Sequence, residues 1–278
     1  MSFVRKSLFI IVGLLLLTLP LFAQSVSQTV GDAGNVDWSS QVVRATGIGS
    51  PNPNMPPTAQ RAGAIESAKR IALRNLLEVI QGMTIDSETT VRNSMMENDV
   101  VNTRVRGVVR GFTVVDTKYM STGDIEITVE MPISGALSDI LLPTQMGGTT
   151  PVPAMSIPPP ATPQSGAYTG LIVDAKGLGL RPAMAPKVVD ENDEEIYGSR
   201  YVSREWAVQI GMVGYDKDVK RASQDDRVTN NPLVVKAVKV SGANKTDVVV
   251  SNETAAMIRS AAATQNFLDK CKVMFIVD

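Results

Sequence analysis

Residues 58–82 read TAQRAGAIESAKRIALRNLLEVIQG, and how they fold decides the architecture of the first half of the chain. Apolar side chains recur at Ile65, Ala68, Ala72, Leu76 and Val79 in steps of three and four, and Ile71, Leu73, Leu77 and Ile80 widen the stripe. That spacing places them on one face of an α-helix. Arg61, Glu66, Lys69, Arg70 and Arg74 fall mostly off the stripe and form its wet back. Thr58, after Pro56 and Pro57, is the expected N-cap, and Gly82 is expected to end the helix in the left-handed conformation. Alanines lead the stripe and leucines and isoleucines follow. The first half of the helix should therefore lie close to a sheet, and the second half should fill a deeper core.

Upstream, residues 42–48 (VVRATGI) have strand character, and GSPNPNMPP at 49–57 cannot form regular structure because its prolines remove donors and disfavour helical geometry before them. Downstream, residues 83–85 extend briefly, and Val91, Met95 and Val101 give residues 88–103 a weak helical period. Residues 105–116 (VRGVVRGFTVVD) are valine-rich and interrupted by Gly107 and Gly111, the pattern of a bent or bulged strand. Ile125, Ile127, Val129 and Met131 then alternate with Glu126, Thr128 and Glu130, which is the period of a strand with one buried face. Joined through the turn STGD at 121–124, the two runs read as a hairpin. Strand, loop, long helix and hairpin together make an α+β unit over residues 42–142.

This unit resembles the N-terminal domain of the LPP-twenty lipoprotein family and of the flagellar assembly protein T. The resemblance is carried by VRATGIG, AQRAGAIESAKRIALRNLLEVIQG and RVRGVVRGFTVVDTKYMSTGDIEITVEMP, about a third of the chain. It implies a bacterial envelope or flagellum-associated protein without a defined enzyme activity. The lipoprotein members carry a lipidated cysteine. No cysteine stands near the start of this sequence, so an unlipidated protein is expected.

Residues 1–25 read as a secretory signal: Arg5 and Lys6 precede an apolar run at 8–19, Pro20 breaks it, and Ala23 and Ser25 are small residues near a cut. A membrane anchor is the alternative, but the run is shorter than the ~20 residues a spanning helix needs. Export to the periplasm, or to an extracellular or outer-membrane-associated site, is expected. Residues 26–41 read as a flexible N-terminus. Residues 143–167 (PTQMGGTTPVPAMSIPPPATPQSGA) read as a proline-rich linker with almost nothing to bury. Residues 168–278 read as a second α+β domain. Its expected strands lie at 171–173, 187–189, 195–197, 233–240, 247–250 and 272–277, with a helix after Ser203, a charged surface at 216–228, and a helix over 252–269 capped by Ser251. The runs at 168–198 and 231–252 are similar to a module of secreted bacterial proteins. Each domain is expected to be a mainly antiparallel sheet packed by one or two helices.

The sequence excludes more chemistry than it suggests. It contains no histidine, which removes Ser-His-Asp and Cys-His catalysis, histidine metal sites and imidazole acid–base work. It lacks Ser-x-x-Lys and Gly-x-Ser-x-Gly arrangements and a dinucleotide fingerprint. A net charge of −1 and a pI near 5.7 argue against nucleic acid as a partner. Cys271 is the sole cysteine; it can form no intramolecular disulfide and reads as a buried structural thiol. The acidic run Asp190, Glu191, Asp193, Glu194, Glu195 can be read as a calcium site, but without EF-hand spacing a solvated hairpin turn is the better reading. Arg104, Arg106 and Arg110 share strand parity and make a basic strip for an anionic glycan, a lipid headgroup or a protein; the plainer reading is a wet strand face. No enzyme activity, catalytic residue, cofactor or metal is expected. The expected partners are envelope or flagellar proteins, a second copy of the chain, or peptidoglycan. The role is structural or in assembly, with a periplasmic binding module for peptidoglycan or surface polysaccharide as the alternative.

Overall fold

In the computed structural model residues 25–32, 34–147 and 167–278 are described. The expected signal, apart from its last residue, and most of the expected linker lie outside them.

Ser27–Thr29 (β1), Gly34–Asp37 (β2), Val42–Gly49 (β3), Thr113–Tyr119 (β4) and Ile125–Pro132 (β5) form one sheet in the order β1-β2-β3-β5-β4, and every pair is antiparallel. Residues 26–41 are thus not a loose terminus: they supply two strands. Trp38, just past β2, is buried, and the Asp37 carboxylate accepts the amides of Ser39 and Ser40 to turn the chain.

The inward positions of β3 taper from Val43 through Ala45 to Gly47 and Gly49. Across them lies Pro57–Gln81 (α1). A Cβ on Gly47 would come within 2.3 Å of the Ala68 carbonyl oxygen, and one on Gly49 within 2.1 Å of that of Ala64. Helix backbone therefore rests on strand backbone where Ala64, Ala68 and Ala72 are buried, and Leu76, Val79 and Ile80 fill the wider space at the other end. The alanine-to-leucine gradient is realised as expected, with the stripe beginning at Ala64 in place of Ile65. The helix ends differ from expectation. Pro57 is the first helical residue and no side chain caps it, which suits a residue with no N–H to satisfy. Gly82 stays right-handed (φ −79°); it is small because a Cβ would meet Val30 Cγ1 at 2.4 Å.

Val91–Glu97 (α2) and Asp99–Val109 (α3) follow, hinged at Asn98, whose side chain accepts the amides of Val100 (2.9 Å) and Val101 (3.2 Å). Residues 105–109, expected as strand, are helix. Val101, Val105 and Val109 recur every four residues, and burying that face outweighs the strand preference of valine. The hairpin survives with its first strand displaced to 113–119, and its irregularity falls between Val114 and Asp116, away from both glycines. Ala136–Leu141 (α4) closes this half.

The second half contains Gly170–Asp174 (β6), Val188–Val189 (β7), Glu195–Tyr197 (β8), Arg204–Ile210 (α5), Gly214–Asp216 (β9), Val219–Ala222 (α6), Pro232–Lys236 (β10), Lys239–Ser241 (β11), Asp247–Val249 (β12), Asn252–Thr264 (α7) and Val273–Ile276 (β13). The α+β, two-domain reading holds, with one correction. The sheet β10-β6-β13-β9 is parallel throughout, whereas β11-β12-β7-β8 mixes both senses. Parallel neighbours need long crossovers, and the chain passes through helices between these strands. They are buried on both faces: Leu171, Val173, Val273 and Phe275 join the main core, while Ile172, Met274 and Ile276 pack with Ala222 and Val228 behind.

The 233–240 run changes sheets, the Ala237 amide bonding the Asp174 carbonyl and that of Val238 the Val249 carbonyl. Residues 216–228 are not all surface, since Asp216 and Val228 are buried. Helix α5 ends at Ile210 without a side-chain cap from Ser203; Ser251 does cap α7, which stops at Thr264.

The halves are joined along a seam. Ser39 Oγ donates to the Tyr215 carbonyl at 2.9 Å, and Gln41 Nε2 to that of Val213 at 3.2 Å. The amides of Met184 and Ala185 reach the carbonyls of Thr84 and Ile85, and Asn244 bonds those of Ser87 and Asp86. One apolar core runs through both halves.

Candidate functional surface

Residues two apart on a helix point in nearly opposite directions, so Arg104 and Arg106 on α3 cannot form the strip expected of a strand. Arg104 turns to α4, its Nη2 donating to Asp139 Oδ2 at 3.3 Å. The same Asp139 takes Arg204 of the second half, at 2.9 Å on its carboxylate and 2.7 Å on its carbonyl, and Arg204 also reaches the Pro143 carbonyl at 2.6 Å. Arg104 is thereby part of the seam. Arg110 is exposed at the end of α3.

Arg106 faces elsewhere. Its Nε is held by Asn102 Oδ1 at 2.7 Å, and it lines a shallow depression of about 390 Å3 with Arg74, Leu77, Glu78, Gln81 and Arg92. Helices α1, α2 and α3 each contribute one arginine, against a single carboxylate. Planar guanidiniums bind carboxylate or phosphate oxygens in pairs, so an anionic group is the ligand this surface suits. All three arginines are exposed, and water and salt compete for them. A strand at 105–116 leaves Arg74 and Arg92 outside the expected basic strip. The four-residue step from Asn102 to Arg106 was the signal that would have turned Arg106 toward the back of α1.

The acidic turn is built around an internal ion pair. Asp190 is buried, its Oδ1 accepts the amides of Asn192 (2.9 Å) and Glu194 (3.0 Å), and its Oδ2 takes Arg259 at 2.9 Å. Burial pushes this carboxyl up, but the Arg259 guanidinium and the two amides outweigh it and hold it below the ordinary range. Glu191 accepts the amide of Asn252 at the start of α7. Among the described residues no group of three or more metal-ligating side chains converges.

Two further groups are structural. Cys271 is free and buried, and burial pushes its thiol up to about 11. Arg227 donates to the carbonyls of Ile210, Gly211 and Cys271, so a cation closes the C-terminal end of α5 and ties it to β13. No helix among the described residues is long and apolar enough to cross a membrane.

Comparison with known families divides the chain as the fold does. Residues 39–131 match the LPP20 lipoprotein family, and residues 170–278 match the second domain of Treponema pallidum Tp0624. No curated protein sequence matches the chain.

Proposed function

We propose that the protein is an exported, non-catalytic component of the bacterial cell envelope, with a structural or assembly role at the outer membrane or the flagellum. The observation that carries this reading is the match of residues 39–131 to a lipoprotein family. The histidine-free sequence supports the non-catalytic part. The expected unlipidated state stands against the family's name. The one cysteine, Cys271, is buried beside β13, and the intact mass of protein extracted from envelopes decides the matter. Fractionation followed by co-purification from solubilised envelopes tests the whole reading. Recovery with the envelope, together with envelope proteins, is expected. Recovery in the soluble cytosolic fraction, with envelope integrity and motility unchanged on deletion, would overturn it.

A second reading, a binding module for peptidoglycan or an anionic surface polysaccharide, is favoured by the arginine depression. Purified sacculi should pellet the protein in a salt-sensitive manner, and the triple variant R74A/R92A/R106A should stay in the supernatant. Equal pelleting of the variant would rule the depression out.

A further inference from the structure

Among the described residues β4 pairs with β5 alone, and α1, which lies over β3 and β5, reaches it through Arg61, whose guanidinium stands 4.5 Å over the Tyr119 ring. Strand β4 forms one edge of the five-stranded sheet, and six of its seven residues are exposed. Val114 is 40% exposed, Val115 49% and Tyr119 57%, with Met120 at 37% just beyond. The opposite edge, β1, is only three residues long. An edge this long and this apolar, with unpaired backbone groups along it, is a template for another strand.

Its sequence says which strand. Met120 donates its amide to the Asp124 carbonyl, inside the hairpin. Backbone groups alternate in direction along a strand, so those of Thr117 and Tyr119 face outward. If a second β4 lies antiparallel with Thr117 opposite Thr117, then Asp116 meets Lys118 of the other copy, and Lys118 meets its Asp116. The same register lays Tyr119 opposite Val115 of its mate, an aromatic on a β-branched residue, and Met120 opposite Val114. Opposite charges and aromatic to β-branched contacts are the cross-strand pairs that stabilise sheets. Within the chain Lys118 already holds Glu126 at 2.8 Å, so Asp116 of a second copy would extend that pair.

We infer that β4 pairs with β4 of a second copy of this chain, in the register centred on Thr117, to give a ten-stranded sheet across a two-fold axis. The irregularity at Val115 guards the edge against other strands, and Lys118, which within the chain reaches Glu126 at 2.8 Å and its own Asp116 at 3.9 Å, gains the Asp116 of a second copy only in the self-register. This inference goes beyond the envelope reading and fails independently of it.

Sedimentation of the purified protein over a concentration series tests the pairing by charge exchange. The unaltered protein should show a monomer–dimer equilibrium. The single variants D116K and K118E each place like charges opposite one another, and each should weaken self-association roughly tenfold or more. Mixed together, the two variants put lysines opposite acids and should recover a heterodimer, which a folding defect cannot mimic. A monomer at the highest attainable concentration would overturn the inference. So would a mixture that associates no better than its components, or a β4 edge that captures an envelope protein while never pairing with itself.

Discussion

At Gly49 the helix and the strand come closest, with the Ala64 oxygen 2.1 Å and the Ala68 nitrogen 2.5 Å from the place a Cβ would occupy. Both are backbone atoms of α1, so neither can turn aside as a side chain would. Gly49→Ala should therefore force the helix off the sheet, at a cost of about 1–3 kcal/mol for overpacking. Urea unfolding read by circular dichroism checks this, and an unshifted midpoint would mean that the helix yields freely. The pair Asp190–Arg259 makes a different prediction. Because the folded carboxyl titrates below the unfolded one, its contribution is present above the ordinary carboxylate value of about 3.9 and fades as the pH falls through the lower folded value. Asp190→Asn should cost about 1.5–3 kcal/mol at neutral pH, the range for a hydrogen bond to a charged group. The gap in melting temperature between the two proteins should close as the pH falls below about 4. A gap that persists in acid would assign the loss to the turn amides and not to the ion pair.

Elements were legible where one period dominated the sequence. α1 announced itself by a 25-residue stripe, β5 by strict alternation, and α7 by Ser251 at its start. One element is hidden because two signals overlap. In α3 the valines that favour strands also recur every four residues, and only packing against its neighbours decides between the two periods. Asn98 is the local clue, a cap placed just before that run. Asn98→Ala removes the acceptor for two first-turn amides and should cost about 1 kcal/mol. Amide exchange should accelerate first at Val100 and Val101; unchanged exchange there would show that tertiary packing alone sets the start of the helix. β6 and β13 were found as strands, but their uninterrupted apolar runs, LIV and VMFIV, also signalled burial on both faces and hence a parallel sheet. Of the surface, Arg104, Arg106 and Arg110 were visible as residues but not as geometry. Their partners, Asp139 on α4 and Arg74 and Arg92 on α1 and α2, lie far away in the chain, and no local pattern brings them together.

The whole molecule departs most from what its sequence suggests, because a proline-rich stretch between two patterned halves reads as a spacer between separate bodies. The seam joins them instead through the segment that composition marks as loose. Trp38 is 2% exposed, its ring lies 5.8 Å from that of Tyr215 on β9, and Tyr215 in turn lies 6.0 Å from Phe275 on β13. Tyr215 Oη is fixed by both the carbonyl and the amide of Ala183, so this aromatic file is anchored on the second half and capped from the first. Cys271 lies just before β13, buried and with its thiol held far from the thiolate form, which makes it a silent reporter on opening of the second half. Trp38→Ala should cost about 3–5 kcal/mol, the usual range for removing a buried aromatic. If the halves share one cooperative core, that loss in the first half must speed labelling of Cys271 in the second, and by a factor that matches the fall in stability. Thiol labelling in native buffer measures it directly. Unchanged labelling beside a lowered unfolding midpoint would mean that the second half opens by itself, and the two halves would then be neighbours in contact and not a single folding unit.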